Sequence, residues 1–160
     1  MPVQYMQAIT ERYQRLGYAP YRWFVAESPA PWQAVAKPLS ALRLGLLSTS
    51  GCYALGQCAY HYRDDASIRE IDSATPVESL RFSHITENYL EDARRDPNCI
   101  FPLGTLRRLV QGGLPGALAD KVLSCMGGVY SQRKVREQTA PAVLAALQAQ
   151  RVDAALLVAM

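Results

Sequence analysis

The chain has 160 residues, 49% of them apolar and 19% charged, the balance of an ordered globular protein rather than a disordered one. Seventeen Lys and Arg against fourteen Asp and Glu give a net charge of +3 without a clustered basic face, so no nucleic-acid partner is expected. The longest apolar run, Ala154 to Met160, is about a third of the ~20 residues that cross a bilayer, so no membrane partner is expected either.

Met1 to Arg12 carries Gln4, Gln7, Glu11 and Arg12 in place of the basic and apolar regions of a signal peptide. A cytoplasmic location follows as an expectation, and the four cysteines then read as thiols. One α/β domain is expected over 1–160, with an N-terminal helix and arm over 1–40 packing on the sheet of a core over 41–160.

Val3, Met6, Ile9, Tyr13 and Leu16 recur at spacings of three and four, which predicts an amphipathic helix ended by Gly17. Tyr18 to Pro38 holds Pro20, Pro29, Pro31 and Pro38 among Tyr21, Trp23, Phe24 and Trp32, an irregular arm anchored by aromatic rings. Leu42 to Ser48 reads as a buried strand running into the small polar loop Ser48-Thr49-Ser50-Gly51-Cys52. Short strands follow at Ser67 to Asp72 and Leu80 to His84.

Pro102, Leu103, Leu106, Leu109 and Val110 mark a helix that Gly112-Gly113 stops, and Leu118 to Met126 is a strand centred on Lys121 to Cys125. Tyr130 to Arg136 reads as a polar connection. Thr139 and Pro141 open a helix with Val143, Leu144 and Leu147 on one face, followed by the strand Ala154 to Met160. This alternation predicts a three-layer α/β sandwich with a mostly parallel sheet of four to five strands.

Parallel sheets bind ligands beyond the carboxyl ends of their strands, so the loop after the first strand is the leading candidate site. Ser48, Thr49, Ser50 and Gly51 offer hydroxyls and amides to a small-molecule anion. Cys52 offers a thiolate if a positive charge lowers its pKa, or else a packed thiol. His84, at the end of a strand, has the chemistry of a proton carrier and equally of a structural cap. Cys52, Cys58, His61 and His84 also make up a zinc-ligand inventory, although C-x5-C is wider than the usual ligand spacing, and Cys52 with Cys58 is a wide redox pair. Asp96-Pro97-Asn98 reads as an Asx turn, and Cys99 and Cys125 as packing thiols.

Several segments in order resemble one family, the selenoprotein B family of glycine, sarcosine, betaine and D-proline reductases. They are Arg12-Tyr13 to Leu16-Gly17-Tyr18 with Pro20-Tyr21-Arg22-Trp23, Lys37-Pro38-Leu39, Leu46-Leu47-Ser48-Thr49-Ser50-Gly51, Arg69-Glu70-Ile71 and Leu80-Arg81-Phe82-Ser83-His84. Asp96-Pro97-Asn98, Phe101-Pro102-Leu103, Leu106-Arg107-Arg108-Leu109-Val110, Gly116, Met126-Gly127 and Val152-Asp153-Ala154-Ala155-Leu156-Leu157-Val158 continue the pattern. The resemblance implies a reductase that cleaves a bond at the α-carbon of an amino acid. The family's Cys or selenocysteine loop lies just after the strand equivalent to Ala154 to Val158.

The sequence given ends at Met160, before that loop, so the resemblance carries no nucleophile onto a numbered position. Three expectations follow. The chain is a reductase-type protein for a small amino-acid-like or thiol-reactive substrate, with Cys52 and His84 catalytic and Ser48 to Gly51 binding. Alternatively it is a non-catalytic subunit or interaction module, completed by a second subunit or by another copy of itself. The third reading is a Cys/His metal protein. No cofactor is assigned.

Overall fold

The computed structural model describes residues 3–20 and 25–160, which fall into two compact units, 1–34 and 35–160. In the first, α1 (Tyr5–Arg15) follows the expected apolar spacing. It closes with Gly17 at φ 81, where the Gly17 amide donates to Gln14 and the Tyr18 amide to Tyr13, a Schellman ending. The described part of the expected arm has no further helix or strand, and Trp32 is exposed; Tyr21, Trp23 and Phe24 lie outside the described residues.

The second unit is built on β1 (Arg43–Ser48), with β2 (Cys52–Ala54), β3 (Ile68–Asp72) and β4 (Leu80–Phe82) after it. Next come α2 (Glu91–Arg95), α3 (Leu103–Gln111), β5 (Ala117–Leu118) and β6 (Lys121–Cys125). A helical run of α4 (Gln132–Lys134), a π-turn (Val135–Thr139) and α5 (Ala140–Ala149) leads to β7 (Ala154–Val158).

Five strands form the main sheet. β7 runs parallel to β1 along its whole length, from Leu44 beside Ala154 to Ser48 beside Val158, and so occupies one edge of β1. β5 and β6, also parallel, share the other edge, and β3 joins β6 antiparallel. The mostly parallel α/β sandwich is therefore as expected. β2 and β4 form a separate antiparallel pair, Cys52 opposite Phe82.

Alternation along β1 puts Leu46 and Gly45 on opposite faces. On one face Leu46, Ile71 and Val122 pack with Leu90, Ala93, Phe101, Leu103 and Leu106, the principal core. On the other, Leu147 of α5 and Val152 close directly over Gly45. Burying such a leucine makes its truncation to Ala cost roughly 2–5 kcal/mol.

Two side chains fasten the open end of the sheet. The Asp153 carboxylate takes the Lys37 ammonium at 2.6 Å and the Arg43 amide at 2.9 Å, and these contacts, the amide first, hold its pKa below the ordinary carboxylate value. The Gln150 carboxamide accepts from the Lys121 amide at 2.7 Å and donates back to the Lys121 carbonyl at 3.0 Å.

The helix expected to start at Thr139 begins instead at Gln132. Ser131 caps it by accepting from the Lys134 amide, so the stretch taken as a polar connection is helical. Thr139 lies inside the run and donates its hydroxyl to Ala66 at 2.9 Å. Pro141 lacks the N–H that the Glu137 carbonyl would receive, and the widened π-turn immediately precedes it.

Between β1 and β2 the chain turns at Gly51, φ 64, whose amide donates to Cys125 and whose carbonyl receives the Ser83 amide. A Cβ there would collide with the Ser83 carbonyl. Gly51→Ala should therefore lower unfolding stability by about 2–4 kcal/mol, read as a drop in urea midpoint at unchanged slope.

Candidate functional site

Register brings the carboxyl ends of β1, β6 and β7 to one place, because Ser48 lies beside both Ser124 and Val158. β4 ends nearby through the Ser83 bond to Gly51, and this carries His84 to the same end. The leading loop of the sequence reading is here, but its polar groups are engaged internally. The Thr49, Ser50, Gly51 and Cys52 amides donate to the Val158 carbonyl, Ser48 Oγ, the Cys125 carbonyl and Ser124 Oγ.

Ser48 and Ser50 are fully buried. Their hydroxyls lie 2.8 Å apart, and Ser48 donates to the Ile100 carbonyl at 2.7 Å. These groups brace the turn, and none of the four amides points unpaired toward a ligand.

Cys52 opens β2 with its side chain turned inward, wholly buried in the principal core. Burial pushes its thiol well above the ordinary value, and such a neutral thiol packs rather than attacks. Cys125 is also buried and its thiol is pushed up to about 11. Cys58 and Cys99 are exposed, and all four cysteines are free. Among the described residues no group of three or more His, Cys, Asp or Glu comes together as a metal site, so Cys52, Cys58, His61 and His84 are not gathered into one.

His84 is the group that the fold aims. It is 4% exposed, and its Nδ1 receives the Thr86 amide at 3.2 Å with the Thr86 hydroxyl at 2.6 Å. With Nδ1 accepting, the neutral ring carries its proton on Nε2. Nε2 is buried with no hydrogen-bond partner; it faces the Thr49 carbonyl, but outside hydrogen-bond geometry. Burial lowers the imidazole pKa, against smaller raising effects of the Glu87 carboxylate and the Thr49 carbonyl.

The floor of the site is Gly127, which in the sequence follows the strand ending at Met126 and belongs to the Met126-Gly127 segment of the family resemblance. A Cβ there would stand 2.9 Å from the Thr49 carbonyl oxygen, 3.0 Å from that of Met160 and 3.1 Å from His84 Nε2. Met160, just beyond β7, donates its amide to Thr49 Oγ1 at 2.9 Å. The Gly127-Gly128 pair at a strand end was the signal available for this close approach. Thr86, which orients His84, and Tyr60, a buried phenol donating to the Ser124 carbonyl at 2.6 Å, left no such trace.

Two measurements test this arrangement. Alkylation near pH 8 should add two labels to the native chain, at Cys58 and Cys99, and four in denaturant; fast native labelling of Cys52 would make it a nucleophile after all. Because the fold disfavours the His84 imidazolium, its stabilising contribution is fully present above about pH 6.5 and is lost as pH falls below that value. His84→Gln should flatten the acid side of the stability profile between about pH 5 and 7, and an unchanged slope would reject the assignment.

No family model and no solved structure matches the chain. Among described proteins it is similar to the D-proline reductase subunit gamma of Acetoanaerobium sticklandii, 31% identical over 137 residues. The match takes in 85% of this chain and 56% of the relative, so the chain spans about half the length of the curated relative it matches. That similarity supports a family related to the proline and glycine reductases.

Proposed function

We propose that this chain is the scaffold part of a reductase of the selenoprotein B type, acting on a small amino-acid-like or thiol-reactive substrate, with a second polypeptide completing its site. The observation that carries the reading is the end of β7, where the Met160 carbonyl and His84 Nε2 both lie against Gly127. In the resembling reductases the Cys or selenocysteine loop follows this strand, so a nucleophile held there would face a histidine N–H fixed in one tautomer. His84 then donates to negative charge developing in the reaction, and its lowered pKa keeps it neutral for that work. Ser48 to Gly51 serve as the brace behind this wall, and Cys52 as a packed thiol.

The outer side of β7 supports the need for a partner. That edge is unpaired among the described residues, and Leu156 and Leu157, on opposite faces, are 38% and 69% exposed. Parallel strands are ordinarily covered on both faces, and this edge carries no Lys, Pro or bulge to repel another strand. The occupant in this reading is a strand of the polypeptide that brings the nucleophile.

Native mass spectrometry of protein purified from its own host tests the reading. A stoichiometric second chain is expected, lost on Leu157→Lys, and His84→Gln in the intact assembly should lower kcat by about 10²-fold. A bare chain with full reductase turnover, or an assembly indifferent to both substitutions, would overturn it.

A further inference from the structure

A cleft of ≈ 490 Å³ opens among Tyr62, Arg63, Asp64, Ile85 and Tyr130, a size suited to a small organic ligand. It adjoins the strand-end site along the chain on two sides, through His84-Ile85 and through 127–130, and Ile85 lies directly against the Gly128 backbone.

The loop bearing Arg63 is held in place. Asp64 adopts φ 49, a left-handed conformation that a non-glycine residue keeps only where its surroundings enforce it. Its carboxylate receives the Tyr130 and Ser131 amides at 2.7 and 3.1 Å, and its carbonyl receives the Lys134 ammonium at 3.0 Å. Asp65 is committed too, to the His61 and Ser67 amides at 2.9 and 3.0 Å and to the Ser67 hydroxyl, and it faces Arg69 at 3.9 Å.

Both acidic neighbours of Arg63 are thus spent on other donors. The Arg63 guanidinium itself has no hydrogen-bond or ion-pair partner among the described residues. It stands in a cleft whose other walls are two tyrosine side chains, an isoleucine and Asp64, whose carboxylate is held by the Tyr130 and Ser131 amides.

We propose that Arg63 is a carboxylate anchor, and that the cleft binds a small organic acid with its acid group on the guanidinium and its apolar body against Ile85, Tyr62 and Tyr130. A planar guanidinium fork matches a carboxylate through two parallel hydrogen bonds, which a lysine cannot reproduce. The assignment deepens the reductase reading by saying where the acid group is held, and rests on that reading only for the reaction.

The test is a titration of the purified chain with cyclopentanecarboxylate and, separately, with neutral cyclopentanecarboxamide, followed by amide and arginine Nε–H NMR signals. The acid should shift residues 62–64, 85 and 130 saturably, and the carboxamide should not. Arg63→Gln should weaken acid binding by at least about tenfold, as expected for loss of a charge-assisted contact, with Arg63→Lys intermediate and Arg95→Gln unchanged. Equal binding of the carboxamide, undiminished binding by Arg63→Gln, or shifts spread evenly over exposed arginines would overturn the proposal. Arg63 is exposed and unpartnered, so its variants should fold, which an otherwise unchanged spectrum verifies. Because binding is read on the chain alone, failure here leaves the second-polypeptide reading intact, and loss of that partner leaves this one intact.

Discussion

Both edges of β1 are occupied, and the positions of β5, β6 and β7, and of β3 through β6, follow from how they are shared. β7 runs along one edge through five paired residues, while β5 and β6 divide the other. The pairings at Ser48 align the ends of β6 and β7 with the start of the Thr49 turn, so His84, Gly127 and Met160 converge through register rather than through any local motif. A one-residue slip of β7 would send its side chains to the opposite faces and withdraw Met160 from Thr49. The Asp153 contacts to Lys37 and Arg43 oppose that slip at the entrance to the strand.

The sheet was readable from sequence wherever a strand is a continuous apolar run. β1, β6 and β7 are short apolar runs bounded by turn residues, a pattern that parallel pairing produces directly. β2 was hidden, because Cys52-Tyr53-Ala54 has no periodicity of its own and is a strand only through its pairing with β4. The start of the last helix was hidden for another reason. Its first two turns are polar and supported by Ser131, while Thr139 and Pro141 imitate a helix beginning in the middle of the run.

Within the site, the address was legible and the orientation was not. The small polar turn follows β1 at the carboxyl ends of the parallel strands, as the rule for parallel sheets implies, and the histidine after β4 is brought there by the Ser83 bond to Gly51. Which groups face inward depends on alternation and on long-range hydrogen bonds. Cys52 turns into the core, the serines bond to one another and to Ile100, and His84 keeps its Nε2 without a hydrogen-bond partner. Thr86 determines which nitrogen that is, and a threonine two residues past a histidine carries no signal in sequence.

The paired bonds between Gln150 and Lys121 give the crossover from β6 to β7 a character of its own. A carboxamide that both accepts from and donates to one residue's backbone reproduces what a neighbouring peptide group would do in a ladder. Gln150 follows the last turn of α5, whose Ala146 carbonyl it also holds, so the final helical turn and the first residue of β6 are closed into a ring. Fraying at either place breaks the same bonds. The start of β6 and the end of α5 therefore open together, as one cooperative unit in amide exchange, although 29 residues of chain separate them.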